Sequence, residues 1–62
     1  MTSRRFLSIA EVSERLGVPE PTLRHWRAKR TGPQWVRIGK YVRYPSDLLE
    51  KWENTLIARS AG

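Results

Sequence analysis

The side chains able to do chemistry are gathered in the middle of the chain: Arg24, His25, Arg27, Lys29, Arg30, Arg37, Lys40 and Arg43. Seven of them are permanently cationic, and no acidic residue lies between Glu20 and Asp47. The remainder of the 62 residues carries five basic and six acidic side chains, so the net charge of +6 arises wholly in this zone. Like charges at this density repel one another unless a polyanion neutralises them. Nine of the twelve basic residues are arginine, whose planar fork matches phosphate oxygens and the guanine edge bidentately. The chemistry on offer is therefore recognition rather than bond making. There is no cysteine, which removes thiol catalysis, a disulfide framework and the usual zinc knuckle. His25 is the only histidine, and the scattered carboxylates form no nucleophile–base pair. The pattern points away from an enzyme and calls for no cofactor or metal.

These side chains need elements to hold them, and the chain punctuates itself clearly. Ser8-Ile9-Ala10-Glu11 is a capping-box pattern, and Ile9, Val12 and Leu16 follow as one apolar stripe. Gly17 suits a left-handed helix end, so a first helix is predicted over Ile9–Leu16. Glu20 precedes Pro21, which should push it out of helical angles and make it the N-cap, with Pro21 at the first helical position. A second helix is predicted over Pro21–Lys29, and two short helices across a glycine-containing turn make a helix-turn-helix pattern. Thr31-Gly32-Pro33 breaks this helix. Gln34–Ile38 and Tyr41–Tyr44 are rich in β-branched and aromatic residues and flank Gly39-Lys40, which suits a two-residue type II′ hairpin. Both faces of this ribbon carry large apolar groups, so the pattern leaves the buried face open. A last helix is predicted over Pro45–Ile57, with Leu48, Leu49, Trp52 and Leu56 recurring at helical spacing. The ends, Met1–Arg5 and Arg59–Gly62, are expected to fray, and residues 1–62 to form one domain.

Helical geometry sorts the second helix into faces. Leu23 and Trp26 mark the inward side; Pro21, Arg24, His25 and Ala28 fall outward, with Thr22 and Arg27 on the flanks. In a helix-turn-helix protein the outward face of the second helix enters the major groove of DNA. Arg24 suits guanine O6 and N7, His25 a base acceptor or a phosphate, and Pro21 and Ala28 a thymine methyl. Arg27, Lys29 and Arg30 suit backbone phosphates, which position without specifying sequence. The hairpin supplies a basic wing, with Gly39-Lys40 at its tip and Arg37 and Arg43 on its strands, suited to the minor groove. Trp26, Trp35 and Trp52 are read as core, because a chain this short needs large apolar side chains to fold at all. Tyr41 is the better candidate for an exposed aromatic, although core packing fits it as well. No apolar run approaches the roughly 18 residues of a membrane span, and the basic N-terminus lacks the apolar stretch of a signal peptide, so an intracellular protein is expected.

Four signatures occur in order: Leu7-Ser-Ile-Ala-Glu-Val-Ser-Glu-Arg-Leu-Gly-Val, Thr22-Leu-Arg-His-Trp-Arg, Val36-Arg-Ile-Gly-Lys-Tyr-Val-Arg-Tyr and Ser46-Asp-Leu-Leu-Glu-Lys-Trp. Together they resemble the excisionase family, also called recombination directionality factors, whose fold is similar to the DNA-binding part of MerR-type regulators. The resemblance implies a small α+β winged helix-turn-helix without catalytic activity. It implies a protein that binds double-stranded attachment-site DNA cooperatively in several copies, bends it and directs an integrase toward excision. It places the protein in the cytoplasm of a bacterial cell or phage-infected host. One departure stands out: Pro19-Glu20-Pro21 occupies the place where the family usually has small hydroxylated or basic residues. Glu20 would then accept from a cytosine N4 amine or serve as a cap. Two other readings share these residues: a small transcription regulator of the same build, and a basic interaction module such as an antitoxin or an integrase adaptor.

Overall fold

A computed structural model describes residues 5–61. The order of elements is β1 (Phe6–Leu7), α1 (Ile9–Leu16), α2 (Glu20–Ala28), β2 (Val36–Ile38), β3 (Tyr41–Pro45) and α3 (Ser46–Ala61). The three strands form an antiparallel sheet in the order β1-β3-β2. Two helices across a tight turn, followed by a hairpin and a closing helix, make a winged helix-turn-helix of the small α+β class.

The first helix starts where the capping box places it. Ser8 Oγ accepts from the Glu11 amide at 3.2 Å, and the Glu11 carboxylate accepts from the Ser8 amide at 2.9 Å. Gly17 caps the other end in the left-handed region. The turn to α2 is held by the Ser13 hydroxyl, which donates to the Val18 carbonyl at 2.6 Å.

Five elements supply the buried centre: Leu7 from β1, Val12 from α1, Leu23 from α2, Tyr44 and Pro45 from β3, and Leu49 from α3. Burying a side chain of this size contributes roughly 1.5–3 kcal/mol, so no single element holds the fold alone. Around this centre pack Ile9, Leu16, Val18, Val42 and all three tryptophans, each partly buried. Trp26 and Trp52 join α2 to α3, their ring centres 5.8 Å apart and tilted by 53°. Gly32 closes against this pair: a Cβ there would stand 2.8 Å from Trp26 Cε3, and its φ of +81° already favours glycine.

Several boundaries move from their expected places. Helix α2 begins at Glu20 rather than Pro21, so Glu20 is helical and Pro19 is the N-cap, without a side-chain cap bond. The reason is the Pro19 carbonyl, which accepts from the Thr22 and Leu23 amides at 3.0 and 3.2 Å. Making those bonds requires helical angles at Glu20, and they outweigh the preference against helix before a proline. The helix ends at Ala28, with Lys29 as its cap. The expected two-stranded hairpin is a three-stranded sheet. Phe6 pairs with Pro45 and Leu7 with Tyr44, which makes Pro45 the end of β3 rather than the start of a helix. Arg5, expected in the frayed end, donates its amide to Ser46 Oγ at 3.1 Å and accepts from the Ser46 amide at 2.8 Å. Strand β2 begins at Val36 rather than Gln34, and α3 runs on past Ile57 to Ala61. The expected frayed residues 1–4 and Gly62 lie outside the described residues.

Candidate nucleic-acid interface

The face of α2 that periodicity turned outward is exposed: Pro21, Arg24, His25 and Ala28 all lie open to solvent, while Thr22 is half-buried on the flank. Arg24 reaches back along the helix to Glu20, with Nη2 donating to Oε1 at 3.3 Å and both side chains substantially exposed. A surface pair at this spacing contributes only about 0.3–0.5 kcal/mol, so a competing acceptor can draw Arg24 away from it. Glu20, expected to cap the helix or to accept from a cytosine amine, is not the N-cap, and its carboxylate pairs with Arg24.

Arg27 is different. It is half-buried, its guanidinium carbon lies 5.8 Å from the centre of the Trp35 ring, and Nη1 donates to the Tyr44 hydroxyl at 3.5 Å. Tyr44 is 1% exposed, and this is its hydroxyl's hydrogen bond among the described residues. Arg27 therefore ties the C-terminal half of α2 to the root of the hairpin.

The chain leaves α2 through a Schellman motif. The Arg30 amide donates to the Arg27 carbonyl at 3.1 Å, and the Thr31 amide donates to the Trp26 carbonyl at 2.9 Å. That motif needs a left-handed residue, and Arg30 takes the position with φ +56°. It is the one non-glycine residue with positive φ among the described residues. Lys29 and Arg30 are both exposed and, like Arg37, have no carboxylate partner among the described residues. Beyond the motif opens a groove of about 780 Å³, lined by Arg27 and by residues 30–35. Residue pattern alone offers no sign of this groove, whose lining includes the left-handed Arg30 and the buried Pro33. Trp35, read as core, is part of its wall as well as half-buried.

The hairpin forms as its turn residues require. Ile38 and Tyr41 face each other across Gly39-Lys40, and Gly39 has φ +61° while Lys40 does not enter the positive region. That combination matches a type II′ turn. Cross-strand partners share a face, so Val36, Ile38, Tyr41 and Arg43 project together, opposite to the inward Val42 and Tyr44. Tyr41 is 53% exposed and carries two cations, with Lys40 Nζ 5.7 Å and Arg43 Cζ 5.2 Å from its ring centre. Arg43 also donates from Nη1 to the Val42 carbonyl at 2.9 Å. Arg37, Gly39 and Lys40 are exposed.

Glu11 is held below the usual glutamate value, chiefly by the hydrogen bond from the Ser8 amide, with help from the Ser8 hydroxyl and from Arg5 and Arg43. Among the described residues no cluster of His, Cys, Asp or Glu could hold a metal ion, and no helix is long and apolar enough to cross a membrane.

A helix-turn-helix core, a second helix with exposed basic side chains and a basic hairpin tip define a DNA-binding domain. The chain belongs to a helix-turn-helix domain family, whose model matches residues 6–55 and whose members include excisionase-like DNA-binding proteins. Searches of the curated proteins and of the solved structures return no match.

Proposed function

We propose that the protein is an excisionase, a non-enzymatic factor that binds attachment-site duplex DNA and steers an integrase toward excision. The observation that carries this reading is the joint exposure of Pro21, Arg24, His25 and Ala28 on α2, beside a hairpin tied to the same helix through Arg27.

Helix α2 lies in the major groove. Arg24 leaves Glu20 to pair with guanine, His25 donates to a base or phosphate acceptor, and Pro21 and Ala28 meet thymine methyls. Thr22 and Glu20 stand at the helix entrance, where Glu20 orients Arg24 and accepts from a cytosine amine. Arg27, Lys29 and Arg30 hold phosphates. The wing, with Arg37, Gly39, Lys40 and Arg43, follows the adjacent minor groove, where negative potential is enhanced. A single module this small makes a limited interface, so copies bind cooperatively and bend the site. The turns of α3 past Trp52, where Leu56 and Ile57 are exposed, supply apolar surface for the neighbouring copy.

The test is a recombination assay with the cognate integrase. Addition of the protein favours excision and suppresses integration. A protein that binds the site and represses a promoter but leaves the recombination ratio unchanged is a transcription regulator of the same build. Saturating capture by an acidic protein with no DNA shift identifies an interaction module.

A further inference from the structure

We propose that Arg27, Arg30 and Trp35 form a clamp for one DNA phosphodiester at the C-terminal end of α2, and that Arg30 keeps a strained backbone to build it. This rests on the DNA-binding reading and adds a defined contact site to it, including a tryptophan that sequence patterning assigns to the core.

The argument begins with the backbone. The left-handed position of a Schellman motif is where glycine is favoured, because any Cβ there crowds the following carbonyl. Here it is filled by arginine at φ +56°, although among the described residues glycines stand at the other positive-φ positions, Gly17, Gly32 and Gly39. Strain of this kind persists where the side chain has a task. The Arg30 side chain lines the groove of about 780 Å³ opposite no carboxylate, and Arg27 lines it too. Trp35 forms the wall and holds the Arg27 guanidinium 5.8 Å from its ring centre. An aromatic face beneath a guanidinium fixes its plane, and with Nη1 turned to Tyr44 the remaining donors are left to an anion. Two arginines lining one open groove, with no carboxylate partner for Arg30, fit a singly charged phosphodiester; a small-molecule site would enclose its ligand.

The clamp reads no base, so its loss weakens matched and random duplexes equally, whereas loss of Arg24 weakens the matched duplex more. The decisive variant is Arg30→Gly, which relieves the backbone and therefore folds. Its melting temperature is expected to rise by several degrees, while affinity falls several-fold on both duplexes and the slope of log affinity against log salt falls by about one. Trp35→Phe, which keeps a ring, is expected to retain most binding, and Trp35→Leu to lose it to the extent Arg30→Gly does. In duplexes carrying one methylphosphonate at successive positions, one sensitive position weakens the wild type and leaves Arg30→Gly unchanged, while the positions met by Lys29 and the wing weaken both proteins. Arg30→Gly with raised stability, unaltered affinity and unaltered salt slope overturns the clamp while DNA binding by Arg24 stands. A wild type whose binding ignores salt overturns both.

Discussion

The Arg27 guanidinium stands 5.8 Å from the centre of the Trp35 ring while one of its nitrogens donates to the buried Tyr44 hydroxyl. That relationship makes α2 and the hairpin parts of one unit. Removing the side chain leaves the Tyr44 hydroxyl without its partner, a loss of about 1–3 kcal/mol. Arg27→Ala is thus expected to lower the melting temperature by about 4–8 °C per kcal/mol lost. Thermal denaturation of the free protein checks this. A variant as stable as the wild type would show that the joint does not hold the wing.

Gly32 makes a sharper steric case. An added Cβ meets Trp26 at 2.8 Å in a conformation that side chains avoid. Gly32→Ala is expected to destabilise by about 1–3 kcal/mol, through overpacking and backbone strain together. Since Trp26 also packs on Trp52, the near-ultraviolet circular dichroism of the tryptophans should change with it.

Much of the fold was legible because its signals are local. Ser8 and Glu11 cap a helix through atoms three residues apart, and Gly39-Lys40 sets a hairpin by its own backbone preferences. Strand β1 was not legible, because two residues carry no period; Phe6 and Leu7 become a strand only through pairing with Pro45 and Tyr44. The same pairing moved Pro45 out of α3. The inward face of the hairpin was chosen by tertiary contact, since Val42 and Tyr44 meet the core while Ile38 and Tyr41 are no less apolar. The outward residues of α2 followed from helical geometry alone. The groove beside Arg30 did not, because residue type gives no reason to expect arginine in a left-handed position.

Acid should expose the capping box. The Glu11 carboxyl is lowered from its ordinary value of 4.5, so the stability it contributes is fully present above that value and is lost as pH falls through the lower folded value. Glu11→Gln preserves the capping geometry and removes this titration. Between neutral pH and about 4.5 the two proteins should respond alike. Below that, the wild type is expected to lose stability that the variant does not. Parallel acid limbs in urea titrations would contradict the account.

Lys40 sits at the tip of the wing with its ammonium 5.7 Å from the Tyr41 ring centre. Lys40→Ala should leave the fold within about 0.5 kcal/mol, as expected for an exposed turn residue. It should also reduce the salt slope of DNA binding by about one and weaken all duplexes to a similar degree. An unchanged slope would remove the wing from the interface.

The most direct test of base reading by α2 is the affinity of Arg24→Ala for the natural site and for random duplex, measured across a salt series. The account predicts a loss of about 1–3 kcal/mol on the natural site and a narrower gap between the two duplexes. It also predicts that wild-type log affinity falls linearly with log salt. Equal losses on both duplexes, or wild-type binding that ignores salt, would contradict it.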